Sequence, residues 1–199
     1  AYVQTGLYLM NRDGTGVRQL TAGFDRSIEA VQWAGNQLFV SYEEQGHYRV
    51  ARVSPSGTVT PLAVRLAAPA MGRPYTGGQW SVTRDGTLAF TSGSNERPSD
   101  VSVARGGQAR QLTRLNDLWL SGKRLGQVRE LNATAPDGTP VPGWILLPPG
   151  YREGQKVPTI LEIHGGPYTS YGPYFSTDYQ LYAAAGYAVL FPNMRGSTG

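Results

Sequence analysis

Cysteine is absent from the 199 residues, which removes disulfides, thiolate metal sites and a cysteine nucleophile together. Histidine is nearly absent as well. His47 and His164 are the only two, too few for a histidine-built metal site, so neither a metal nor a cofactor is expected. No apolar run approaches the ~20 residues that cross a bilayer, and the N-terminus lacks the charged-then-apolar order of a signal peptide. There is no block of like charge either. Of the 18 basic residues 16 are Arg, placed singly beside turns, so a net charge of +4 and a pI near 9.4 do not point to nucleic acid. These absences exclude nucleic-acid and membrane partners from the expected functions, and the lack of cysteine fits a reducing, cytoplasmic setting. The chain starts at Ala1 rather than Met, and residues 1–9 read as the middle of a strand, so a fragment or a processed product is expected.

What the sequence does hold is turn chemistry. Glycine (26), proline (14) and tyrosine (12) are abundant, the profile of many short strands rather than long helices. Arg18-Gln19-Leu20-Thr21 recurs as Arg110-Gln111-Leu112-Thr113, with the copies starting 92 positions apart, at residues 18 and 110. Half of that spacing is the ~40–50 residues of a β-propeller blade. Each copy ends a hairpin, the first opening at Tyr8 and the second at Val101, and a weaker third copy runs from Arg49 to Leu62. Between the hairpins lie paired strand segments, Ile28–Trp33 with Gln37–Tyr42 and Gln79–Thr83 with Thr87–Thr91. Two strands and two strands make a four-stranded blade, so two to three blades of a partial ring are expected within residues 1–118. The remaining blades would come from elsewhere in the same polypeptide or from another chain, because an open ring exposes apolar faces. Unrelated hairpins in a sandwich are the alternative.

After Asn116-Asp117 the pattern changes, and residues 119–199 read as a second domain. Gln127–Ala133 and Val141–Leu147 form a hairpin around Pro136-Asp137-Gly138-Thr139. Val157–His164 is a nearly continuous apolar run, typical of a strand buried on both faces. Asp178 is placed to cap a helix through Ala185 that stops at Gly186, and Tyr187–Pro192 is another buried strand. Strand, crossover helix and strand predict a parallel βαβ unit.

His164-Gly165-Gly166-Pro167 closes the first of those strands. A glycine pair at the C-terminal end of a central strand turns the backbone sharply and leaves amides free to hold the oxyanion formed on a carbonyl. A plain strand-to-loop turn is the other reading. His164 is a poor candidate for a general base, since the triad histidine of α/β-hydrolases comes last in chain order; orienting its own loop fits better. His47, at a hairpin turn, is expected to be solvated. Gly-x-Ser-x-Gly, the nucleophile elbow of that fold, is missing; Arg195-Gly196-Ser197-Thr198-Gly199 has Arg at the first position and follows the wrong strand.

Together Leu161–Pro167, Tyr171-Gly172, the helix to Gly186, Gly186-Tyr187-Ala188-Val189 and Asn193–Gly199 closely resemble the prolyl oligopeptidase family, with the acylaminoacyl peptidases as the nearest branch. Asp85–Phe90, Pro98–Val101 and Gln111–Asn116 resemble that branch's last blade and its exit into the hydrolase domain. The resemblance implies a fold of propeller blades followed by the N-terminal part of an α/β-hydrolase, and a Ser–Asp–His hydrolase of short peptides acting as a homo-oligomer. It implies that the backbone N–H of Gly166, or of Gly165, is an oxyanion donor. Arg195 takes the place of the family's Arg-Gly-Ser arginine, either in a loop-organising ion pair or against substrate. Nucleophile, acid and base would all lie beyond Gly199, leaving this chain inactive alone. A non-catalytic propeller module with a βαβ appendage and an esterase of the same fold remain as competing expectations.

Overall fold

The computed structural model describes residues 3–166 and 168–198. Of the strand expected over residues 1–9, only β1 (Tyr8–Leu9) forms among the described residues, paired antiparallel with β2 (Arg18–Gln19). Two four-stranded antiparallel sheets follow, each an up-and-down meander. The first holds β3 (Ala30–Ala34), β4 (Gln37–Glu44), β5 (His47–Val53) and β6 (Val59–Leu66). The second holds β7 (Trp80–Val82), β8 (Leu88–Ser94), β9 (Arg97–Arg105) and β10 (Gln108–Gln111).

The sequence repeat is a repeat of hydrogen bonds. In the first copy Leu20 N donates to Leu7 O at 2.8 Å and Leu7 N to Thr21 Oγ1 at 2.9 Å. In the second, Leu112 N donates to Val101 O at 2.7 Å and Val101 N to Thr113 Oγ1 at 2.9 Å. The threonine hydroxyl thus takes a strand amide that the short ladder leaves over. Turn chemistry repeats too. The carboxylates of Asp13, Asp85 and Asp137 accept from the amides of Thr15, Thr87 and Thr139, closing three Asp-Gly-Thr turns.

The first sheet is covered on both faces. Phe39, Val50 and Leu66 pack against Leu88, Phe90 and Ala104 of the second sheet. Leu38, Val40, Tyr42, Ala51 and Val53 face the other way, toward Leu20 and Ile28. Burial on both sides explains the unbroken apolar run of β4. Gln32 clamps the two sheets at one edge, donating to Trp80 O at 3.0 Å and accepting from Val82 N at 3.3 Å.

A short helix α1 (Asp117–Leu120) leads to the last region. Its strands are β11 (Gln127–Glu130), the small pair β12 (Ala133–Thr134) and β13 (Pro140–Val141), and β14 (Gly143–Leu147), followed by β15 (Thr159–Leu161), α2 (Thr177–Ala184) and β16 (Ala188–Pro192). The mixed sheet has the order β11-β14-β16-β15, and β15 runs parallel to β16 as the βαβ pattern predicts. Two expectations need correction. The Val157–His164 run forms a strand of three residues only, and Leu161 is 55% and Ile163 58% exposed. The reason is position: β15 is the sheet edge among the described residues, with β16 on one side alone. The α2 cap is Ser176, whose hydroxyl accepts from Tyr179 N, while Asp178 sits in the first turn and pairs with Arg73 at 2.6 Å.

The connector between the two antiparallel sheets docks on the loop that precedes α2. Thr177 N donates to Met71 O at 2.7 Å, Gly172 N to Pro74 O at 2.9 Å and Thr76 N to Ser170 O at 3.0 Å. Gly172 is obligatory at this seam, because a Cβ there would overlap the Gly46 carbonyl oxygen.

Candidate functional site

Because β15 and β16 are parallel, the loops that leave them emerge on the same edge of the sheet. The first loop carries His164, Gly165 and Gly166; Pro167, the last residue of the motif, lies outside the described residues. No hydrogen bond joins the Gly165 or the Gly166 amide to another described residue, and both glycines are exposed. At Gly166 φ is +139°, and a Cβ would come within 2.8 Å of Tyr168 N, so a side chain there would strain the turn.

His164 is buried, and its ring is used up within the loops. Nδ1 lies 2.8 Å from Gly165 O and Nε2 2.9 Å from Ser197 Oγ. Gly165 O only accepts, so Nδ1–H donates to it, while Ser197 Oγ gives its one proton to Met194 O at 2.7 Å and sits beside Nε2. The ring stands edge-on to Tyr171, centroids 5.0 Å apart. His164 therefore orients the glycine turn and joins it to the second loop.

The second loop, residues 193–198, meets the first through backbone: Thr198 N donates to Thr169 O at 3.0 Å. Asn193 is buried and grips Tyr171 from both sides, accepting from its N at 2.8 Å and donating to its O at 2.9 Å. Sequence reasoning missed Asn193, since nothing in a lone Asn after a strand announces which backbone it will bond. Arg195 is exposed; its guanidinium pairs with Asp137 and donates to Thr139 Oγ1 at 3.0 Å, tying the loop to the β12–β13 turn. The hydrogen bond to Arg195 also helps to hold the Asp137 carboxyl below its usual range, after the larger effects of the Thr139 hydroxyl and amide.

Two clefts lie along the seam with the antiparallel sheets. One, of about 190 Å³, is lined by Gln4, Asp25, Arg26, Glu29 and Glu43 on the sheet side and by Ser197 and Thr198 on the loop side. Burial, reinforced by Glu43, raises the Glu29 carboxyl above its ordinary range. The other, of about 810 Å³, includes His47, Arg49, Arg65, Glu130, Trp144 and Tyr174. Here His47 departs from the sequence expectation. It is half-buried rather than solvated, its Nδ1 has no partner among the described residues, and burial with Arg65 and Arg49 nearby lowers its pKa to about 4. Burial likewise pushes the Tyr174 phenol up to about 12; its oxygen accepts from Tyr48 N at 3.0 Å across the seam. Among the described residues no group of three or more His, Cys, Asp or Glu is placed to hold a metal.

No family model matches the chain. The chain is 37% identical over 105 residues to the uncharacterised peptidase YuxL of Bacillus subtilis, covering 52% of this chain and 16% of that protein. It is 27% identical to a dipeptidyl-peptidase 5 of Arthroderma otae, over 92% of this chain and 25% of that one. In fold it is similar to the uncomplexed acylaminoacyl peptidase of Pyrococcus horikoshii, with a TM-score of 0.78 at 24% identity, over 98% of this chain and 28% of that structure. The chain thus spans a quarter or less of the curated relatives' length. Over nearly its whole length the chain is similar in sequence to a named peptidase and in fold to an acylaminoacyl peptidase.

Proposed function

We propose that this chain is part of a serine-type peptidase of short peptides, in the acylaminoacyl peptidase branch of the prolyl oligopeptidase family. On this reading residues 1–118 are propeller blades and residues 119–199 open the α/β-hydrolase domain. The stacked four-stranded meanders support the first assignment and the parallel β15–α2–β16 unit the second. Nucleophile, acid and base lie C-terminal to this chain, which is inactive without them.

One observation carries the reading: two adjacent glycine amides at the mouth of a parallel strand make no bond to a described residue. When a serine attacks a peptide carbonyl, the oxygen gains negative charge, and preorganised N–H donors there are each worth about 10²–10³ in rate. The Gly166 or Gly165 amide supplies one donor; the residue after the nucleophile supplies the other, as the fold requires. Arg195 is placed against Asp137 and Thr139, which favours loop organisation over substrate contact.

The test uses the full-length protein. It should take one fluorophosphonate label per active site and cleave peptide p-nitroanilides, and residues 1–199 alone should do neither. Absence of both label and cleavage in the full-length protein would leave a non-catalytic module, and short acyl esters cleaved far faster than any amide would make it an esterase.

A further inference from the structure

The glycine turn at the end of β15, oriented from within by His164, is also held from outside its own sheet. Its four-residue neighbour Ser170 is fully buried, and the atoms around it belong to three separate segments. Ser170 Oγ lies 2.9 Å from Thr76 Oγ1 on the connector, and Thr76 N donates to Ser170 O. On the other side Thr198, from the loop after β16, reaches Thr169 through backbone. One carboxylate collects all three hydroxyls. Glu43, near the end of β4, accepts from Thr76 through Oε1 and from Ser170, at 3.3 Å, and Thr198 through Oε2.

This is not a surface ion pair. No Lys or Arg lies within salt-bridge distance of Glu43 among the described residues; the nearby Arg26 is taken by Asp25 at 3.7 Å and by Glu44 at 3.8 Å. Three neutral hydroxyls instead bond to one charged acceptor, and charge-assisted bonds of this kind are short and directional. Such bonds fix positions better than a screened pair of long side chains, which gains little from any one geometry. The donors are spaced so that the carboxylate spans the connector and both loops. Removing it would leave a buried serine and two threonines without their acceptor and let the loops separate.

We propose that Glu43 is a positioning residue for the candidate oxyanion site: from the blade side it clamps the Gly165–Gly166 loop and the 193–198 loop in one register. This rests on reading those amides as oxyanion donors, and it adds that their geometry is set across the seam as well as by His164 within the mixed-sheet region. Displacements near 1 Å cost up to 10²-fold in rate, so the clamp has catalytic consequences without touching substrate.

Glu43→Ala in the full-length enzyme should lower kcat for peptide p-nitroanilides about 10- to 100-fold with KM within about twofold. It should weaken a peptide aldehyde inhibitor, whose hemiacetal oxygen would sit on those amides, by the same factor, and leave binding of the product peptide unchanged. Glu43→Gln keeps the shape and one acceptor and should recover most of the loss. Thr198→Val removes one donor, should cost about threefold, and should add nothing in the Glu43→Ala background. The proposal is overturned if Glu43→Ala keeps its kcat, if aldehyde and product lose affinity equally, or if the rate falls only as the unfolded fraction grows. A wild-type enzyme that cleaves amides beside an unaffected variant defeats the clamp alone. A wild type that neither cleaves amides nor binds the aldehyde defeats the oxyanion reading, and the clamp with it.

Discussion

The antiparallel sheets of residues 30–111 and the mixed sheet of residues 127–192 close in opposite ways. In the first, every strand pairs with its neighbour in sequence, and short turns fix the register. In the second, β14 faces β16 across a long insertion, with Leu146 opposite Val189 and Gly143 opposite Pro192. Local pairing needs little beyond turn chemistry; distant pairing must first meet the entropy of closing long loops. The mixed sheet offsets that with an aromatic core, in which Phe191 stacks on Trp144 at 5.9 Å and packs on Tyr179 at 5.2 Å and Tyr171 at 6.2 Å. The lesson for function is that the loops of the candidate site grow from the region with the less local closure, and lean on the other.

The sharpest way to break this comparison is Phe191→Ala. Truncating a ring that is 1% exposed should cost about 4 kcal/mol. The loss should appear as an early urea transition in near-ultraviolet circular dichroism, while the antiparallel sheets unfold later. A single transition shifted as a whole would mean the regions fold as one unit. Next comes the seam. Gly172→Ala forces a methyl group against Gly46 and Tyr174 and should cost about 2 kcal/mol, weakening the docking of loop 170–178 more than either sheet. Hydrogen exchange at Thr76 and Gly172 would report it, and unchanged protection there would show that the seam yields easily.

The smallest expected effect sharpens the comparison by pH. His47 binds its proton less readily in the folded seam, with a pKa near 4, than its ordinary value of 6.5. Between those values the unfolded chain binds more protons, so this contribution is complete above pH 6.5 and is lost as pH falls toward 4. With a half-exposed site and solvent screening it should amount to about 1 kcal/mol. His47→Gln should flatten that part of the stability profile, and a profile with the same slope in the variant would assign the acid sensitivity to other groups.

Much of this was readable from residues. The Arg-Gln-Leu-Thr copies located two equivalent hairpins because a threonine hydroxyl at a fixed offset completes the same two hydrogen bonds each time. The apolar run before Gly165 and the run after Gly186 marked the parallel strands, and the glycine pair marked the turn that leads to the site. Where the reading failed, the cause was context. Val157–His164 has a buried strand's composition but sits at a sheet edge, and His47 has a turn's sequence but is half-buried at the seam beside Arg49 and Arg65 of its own sheet.

Sequence alone determined what short-range physics can encode: hairpins from Asp-Gly-Thr turns, strands from runs of apolar residues, and a glycine turn whose amides are left to spare. Only the tertiary structure decided that a glutamate in one sheet, a threonine in a connector and a hydroxyl from each of two loops would meet. Hydrogen bonds between side chains more than 90 or 120 positions apart follow no periodicity, because their geometry depends on how whole sheets stack. No local pattern records that stacking.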